Sequence, residues 1–227
     1  MQHLIVVWNA SPYIFGGSCV TVGIVVLALA LGLMLGVPLA LAQVYGGVLA
    51  RRCAGLYVWF FRGVPILVQL FLFYFGLFSS LDLPINAFFS SCIVLGLTSA
   101  AYQSQIFRGA ILSLPSGQFK AGRALGMSDA CSVRCIILPQ ALRLSLPGWA
   151  NEFSILLKDS AICFVLGTQE IMARTHFVAS RTHEHLALFM LAGLLYFLIT
   201  LAGLTLLRRL ENALSTPGYA AGGTGAQ

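Results

Sequence analysis

Charge is what this sequence has least of. Asp, Glu, Lys and Arg make up 9% of its 227 residues, against 59% hydrophobic, and the mean hydropathy is +0.90. Soluble domains average roughly 25% charged residues. A chain this poor in charge cannot clothe a soluble surface, so much of it must face lipid. Its formal charge of +6 is scattered among connections, not gathered on one polar face, which argues against a nucleic-acid partner. There is no Gly-x-x-x-x-Gly-Lys-[Ser/Thr] loop, so the chain has no phosphate cradle with which to hydrolyse ATP by itself. A disulfide framework is missing too: Cys19, Cys92 and Cys163 lie in apolar runs, and Cys53, Cys131 and Cys135 lie among basic residues. Cys131-x-x-x-Cys135 has no His or second Cys pair beside it, which speaks against zinc. Met1 to Phe15 has no Lys or Arg and hence no basic n-region of a cleaved signal peptide. Trp8, Tyr13 and Phe15 instead suit an extracytoplasmic, interfacial segment over residues 1–18. No His falls in an apolar run, and Gly16-Gly17-Ser18 is not followed by Gly, so an intramembrane protease finds neither its base nor its nucleophile motif.

What is present is a series of apolar runs, each near the roughly 20 residues that cross a bilayer. They predict an all-α integral membrane protein with five transmembrane helices, over about 19–42, 63–81, 83–107, 144–169 and 186–207. Gly23, Gly32 and Gly36 in the first run let a neighbouring helix approach closely. Arg51-Arg52 ends the apolar pattern, Pro65 stands near the start of the second span, and Asp82-Leu83-Pro84 turns into the third. Residues 211–227, rich in Gly, Ala, Thr and Pro from Ser215 on, read as a disordered cytoplasmic tail. With the N-terminus outside, Arg51, Arg52, Arg62, Arg108, Lys120, Arg123, Arg134, Arg143, Arg208 and Arg209 share the cytoplasmic side, and only Arg174 and Arg181 fall opposite. The positive-inside bias therefore sets the orientation as N-out and C-in.

The longest charge-bearing stretch lies between the third and fourth spans. Ser116 can cap a short helix, Gly126 can close it in a left-handed turn, and Ser128 or Asp129 can start a second one. Such a helix–Gly–helix knuckle, standing outside the hydrocarbon, suits docking into a partner's groove.

Here the sequence resembles a known family. Ala121-x-x-x-x-Gly126, nine residues and then Ile136-x-Leu138-Pro139 is similar to the cytoplasmic coupling motif of type I ABC-importer permeases. Tyr57-x-x-Phe60-Phe61-Arg62-Gly63-x-Pro65, Ala101-Tyr102-x-x-x-Ile106-Phe107-Arg108-Gly109-Ala110 and Asn151-Glu152-Phe153-x-x-Leu156-Leu157-Lys158-Asp159-Ser160 resemble the polar-amino-acid branch. The likeness covers about residues 15–210. It departs at Lys120 and Gln105, where the family commonly has Glu, at Gly122, where it has Ala, and at Val64, where it has Thr. The resemblance implies a multi-pass permease of the bacterial inner membrane that moves a polar amino acid, or another small polar solute, by alternating access. It implies a transmembrane domain over 19–210 whose coupling segment, 116–139, presents Lys120, Ala121, Gly122, Gly126, Ile136, Leu138 and Pro139. The implied partners are a cytoplasmic ABC ATPase dimer holding ATP and Mg, a second permease and an extracytoplasmic amino-acid-binding protein. The chain itself would bind no cofactor and catalyse no reaction.

Glu152, Lys158 and Asp159 are the charges inside a predicted span. Each costs about 2.5–3.5 kcal/mol at mid-bilayer, so they should face a wet pathway or one another. Glu152 and Asp159 fall on one helical face and Lys158 shares another with Asn151; alternatively the helix breaks near Lys158-Asp159-Ser160, with Asp159 or Ser160 as cap. Gln69, Gln103 and Gln105 suit interhelical hydrogen bonds or the lining of a polar path. His176, His183 and His185 read as solvated histidines of an outer connection, Glu170 to His185.

Overall fold

The first helix is longer than a bilayer is thick. In the computed structural model, which describes residues 2–214, α1 runs unbroken over Gln2–Tyr45, 44 residues. At 1.5 Å per residue it is about 66 Å long, against about 40–45 Å for a bilayer with its headgroups. Part of α1 therefore stands beyond the lipid. The stretch expected to lie as a separate interfacial segment is, from Gln2 on, continuous with the first span.

Three apolar clusters are strung along α1. Near its start Ala10 and Ile14 pack with Ile171, Ala179 and Leu188. At mid-length Ile24, Val25 and Ala28 meet Leu70, Leu95 and Leu157. Near its end Ala40 meets Phe107, Ile111, Ile137 and Ala141. Helix α4, Ala87–Ser113, lies against most of α1 and begins where Asn86 Oδ1 accepts the Phe89 amide at 2.9 Å. Small residues allow this approach: a Cβ on Gly36 would stand 3.1 Å from the Gln103 Cβ and 3.2 Å from the Ala100 carbonyl oxygen.

Between them the chain makes an elbow. Helix α2, Val48–Gly63, and α3, Ile66–Phe71, which continues as a π-helix over Leu72–Phe78, meet at 107°. Pro65 cannot donate to the helical ladder and forces the preceding Val64 out of the helical region, to φ −95° and ψ 133°. Two side-chain hydrogen bonds repair the break: Gln69 Nε2 donates to the carbonyls of Phe61 at 2.9 Å and Val64 at 2.8 Å.

After α4 come α5 (Ser116–Ala124), α6 (Asp129–Ser132), a π-helical turn over Val133–Ile137, and α7 (Leu138–Leu144). Helix α8, Leu146–Asp159, tightens into a 3-10 helix over Ser160–Leu166 that ends at Gly167 with φ +87°. Helices α9, Ile171–Thr182, and α10, His185–Leu214, complete the chain, and the described residues contain no strand. Glu211–Leu214 continue α10, so the first residues of the expected tail are helical; 215–227 lie outside the described residues. By length and apolar character α1 and α10 each suffice to cross a membrane, and the bent α2–α3 pair makes a third crossing if it counts as one.

Two helices stand where the sequence suggested connections. In α2, Ala54 and Phe61 are the buried positions, seven apart, while Arg51 and Arg52 sit on the exposed side. In α9, Ile171, Thr175 and Ala179 are buried at helical spacing, and Glu170 caps the start by accepting the amides of Met172 and Ala173 at 2.8 and 2.6 Å. The i, i+4, i+8 spacing was the available signal; the polar residues between hid it.

Candidate functional site: a braced knuckle and a polar layer

Helix α5 is closed by two backbone bonds, from Met127 N–H to the Gly122 carbonyl and from Gly126 N–H to the Arg123 carbonyl, both 3.0 Å. This doubly bonded C-terminal cap requires a left-handed residue, and Gly126 supplies it at φ +77°. Ser128 then caps α6, its Oγ accepting from the Cys131 amide at 3.3 Å. Ser116 does not cap α5 as expected: Pro115 holds that position, its ring fixing φ at −57°, and Ser116 is already inside the helix.

The two arms are tied together by side chains. Arg123 grips Asp129 through two hydrogen bonds of 2.7 Å and lies 4.9 Å over the Phe119 ring. The guanidinium holds the Asp129 carboxyl below the usual carboxylate range. What this brace adds is complete above the free carboxyl's pKa and is lost only as pH falls through the lower bound value. Gln118 reaches across to Gln140 at 3.0 Å. Pro139, at the start of α7, lacks an N–H, and the widened π-turn just before it takes up the ring.

Burial divides the candidate coupling residues. Lys120, Ala121, Gly126 and Pro139 are exposed, Ile136 and Leu138 half-buried, and Gly122 is buried. Leu125, at the tip, is 81% exposed, an apolar side chain held out on a polar mount. Gly122 faces Ser132, a residue the sequence gave no reason to single out: an added Cβ would stand 2.6 Å from the Ser132 Oγ and 3.3 Å from its Cβ. The Ser132 hydroxyl is buried with no hydrogen-bond partner. Ala at 122 therefore needs space that Ser132 occupies. Gly122→Ala should loosen the knuckle and speed its proteolytic cleavage several-fold, and adding Ser132→Gly should restore most of the resistance. Limited proteolysis of the single and double variants checks this, and equal loss in both would refute the fit.

A polar layer crosses the helices behind the knuckle. Trp149 Nε1 donates to Gln103 Oε1 at 2.8 Å; Gln103 Nε2 donates to the Leu29 carbonyl at 3.1 Å and to Ser99 Oγ at 3.0 Å; Ser99 Oγ donates to Glu152 Oε1 at 2.8 Å. Thr98 Oγ1 donates to Gln69 Oε1 at 2.7 Å, tying the elbow to α4. Gln69, Gln103 and Glu152 are all buried, joining α1, α3, α4 and α8. Gln105 donates to Gln43 Oε1 at 2.8 Å and accepts from Arg108 at 3.4 Å, a dual role open to an amide and closed to an ionised Glu.

The three span charges do not pair. Glu152 turns to Ser99, while Lys158 is exposed and makes no ion pair within 4 Å among the described residues. The helix does change character at Ser160, but without a side-chain cap: Ser160 Oγ donates back to the Leu157 carbonyl at 2.7 Å. Asn151, Ile155 and Lys158 are exposed on one face of α8, with Glu152, Leu156 and Leu157 buried on the other. Near the start of α10 His183 takes the left-handed C-cap of α9 at φ 59°, His185 begins α10, and Glu170 accepts a hydrogen bond from Tyr196.

Apolar helices, a buried polar layer and a braced knuckle define a helical membrane component. Residues 29–216 match the family described as the binding-protein-dependent transport system inner membrane component, and the chain belongs to that family. The histidine/lysine/arginine/ornithine transport system permease protein HisM of Salmonella typhimurium is 37% identical over 210 residues, 88% of this chain and 89% of that one. The glutamine transport system permease protein GlnP of Escherichia coli is 35% identical over 207 residues, 91% of this chain and 94% of that one. A solved amino acid ABC transporter with histidines superposes with a TM-score of 0.81 at 32% identity, over 90% of this chain and 95% of that one. An inward-facing MetNI methionine ABC transporter shares the fold, with a TM-score of 0.68 at 20% identity over 92% and 97%.

Proposed function

We propose that the chain is the permease subunit of an ATP-driven importer that moves a polar amino acid into the cell by alternating access. The observation that carries this reading is the knuckle, a short helix locked by Gly126 and by the Arg123–Asp129 brace, with Ala121 and Leu125 turned outward. A separate ATPase dimer, holding ATP and Mg, would receive that tip in a surface cleft. A stiff mount matters here: a floppy one would absorb the ATPase's closing motion instead of passing it to α4 and α7. The permease relatives named above, with their amino-acid substrates, support the class of cargo.

The remaining architecture follows as part of the same proposal. Five crossings, N-out and C-in, are α1, the α2–α3 elbow, α4, α8 with its 3-10 extension, and α10. The fourth fits: 14 α-helical residues and 7 3-10 residues, at about 1.5 and 2.0 Å each, reach about 35 Å. On that path Asn151 and Lys158 cannot face lipid without cost, so their side of α8 faces a wet pathway completed by a second permease, identical or homologous. Gln69, Gln103 and Glu152 instead hold the helices in register behind it, with Asp159, half-buried, between the two sets. An extracytoplasmic binding protein would deliver the amino acid.

Co-expression with its ATPase and binding protein, followed by reconstitution into vesicles, tests the reading. The tagged permease should retain the ATPase through purification, and uptake of a polar amino acid should require ATP. A permease that purifies alone, or moves solute without nucleotide, would refute it.

A further inference from the structure

Cys131 and Cys135 lie on the second arm of the knuckle, one helical turn apart, both exposed, with their sulfurs 3.8 Å apart. Ser132, between them in sequence, is the side chain that fits against Gly122. The geometry points to a reversible dithiol switch: the two thiols close to a disulfide by exchange with a low-molecular-weight disulfide such as oxidised glutathione, and the closed form disables the knuckle. That the switch acts on transport rests on the coupling role proposed above; formation of the bond does not.

The chemistry balances. One cysteine, as thiolate, attacks a sulfur of the reagent, whose S–S bond breaks and releases one glutathione. The second cysteine attacks the resulting mixed disulfide and releases the other. The two cysteines lose two electrons and two protons, and the reagent disulfide takes up both to become two thiols. The sulfurs are close enough that the second attack outruns collision with another reagent molecule, since the thiol is already in contact.

Closure has a mechanical consequence. Cβ atoms four apart on a helix stand about 5–6 Å from each other, whereas a disulfide holds them near 3.8 Å. The arm must therefore compress, and it does so where the chain already departs from α geometry, at the π-turn Val133–Ile137. Ser132 moves with it, and with it the wall against which Gly122 of α5 is fitted. A bond formed against such strain is readily reduced, which suits regulation more than stapling.

The test uses the reconstituted complex treated with oxidised glutathione and then analysed by peptide mass spectrometry and by ATP-driven uptake. The peptide carrying both cysteines should become lighter by two hydrogen atoms. Cys131→Ser and Cys135→Ser should each keep a glutathione adduct on the surviving cysteine. Uptake should fall several-fold, recover with dithiothreitol, and be indifferent to oxidant in the double serine variant. A stable glutathione adduct on the wild-type peptide, or thiols left free while the exposed Cys53 reacts, would overturn the bond. A bond that forms with uptake unchanged would overturn the switch; whether the knuckle couples at all is read separately, from a Gly126 variant without oxidant.

Discussion

Gly126→Val will cut ATP-driven uptake about tenfold or more and leave the permease inserted and folded in the membrane. An added Cβ at Gly126 meets nothing within 4 Å, so no clash is expected; the cost is in the backbone. At φ +77° an L-residue loses about 1–2 kcal/mol, and a β-branched one fares worse. To relieve that strain the chain must give up the two bonds that close α5, from Met127 and Gly126. The tip then swings and Leu125 leaves its position. A shift of 1.4 kcal/mol is a factor of ten in an equilibrium, so docking should weaken about tenfold or more. Gly126→Asn supplies the control, because Asn tolerates the left-handed region and should keep much of the activity. Uptake, ATP hydrolysis and ATPase retention would be measured side by side. Near-normal uptake with Val would mean that the knuckle is not the coupling element.

Gly17→Ala should be strongly destabilising. The new Cβ would stand 2.8 Å from the Ile171 nitrogen and 2.9 Å from both the Ile171 Cα and the Glu170 carbonyl carbon. These are backbone atoms, so no rotamer change relieves the contact. They are also held from three sides. Glu170 caps α9, Tyr196 bonds the Glu170 carboxylate, and the Ile171 amide donates to Thr21 Oγ1 at 3.3 Å. Overpacking of this kind costs typically about 1–3 kcal/mol, and a rigid neighbour places it at the upper end. A clear drop in the detergent melting temperature and in membrane abundance is expected. Gly55→Ala is the matched control, since its Cβ meets nothing within 4 Å. Equal behaviour of the two variants would refute the packing argument.

Much of this was legible in the sequence, and the exceptions share a cause. Gly126, Pro65 and the Asp82 turn were readable because each is a local demand of the backbone, met within a few residues. The faces of α8 were readable as well: Asn151 and Lys158 do share one side. What those side chains touch was not. The three span charges were expected to face a wet pathway or one another, yet the buried one, Glu152, is satisfied by Ser99, 53 residues away on another helix. A Ser in an apolar run carries no sign of whose partner it will be. The same holds for Gly122, whose departure from the family's usual Ala is explained only when Ser132 comes into view. Helices α2 and α9 were missed because each is amphipathic, with polar residues along the exposed face, a weak signal beside the apolar runs around them.

The Gln69 amide at the elbow has a bearing on movement. A proline break in a membrane helix is easily taken for a joint, but here one side chain clasps the carbonyls of Phe61 and Val64, and Thr98 clasps that side chain in turn. The bend is therefore splinted to α4. If this subunit rocks, α2, α3 and α4 must swing as one angled lever, with its fulcrum elsewhere. In such a swing the proline corner would carry the motion as a rigid angle.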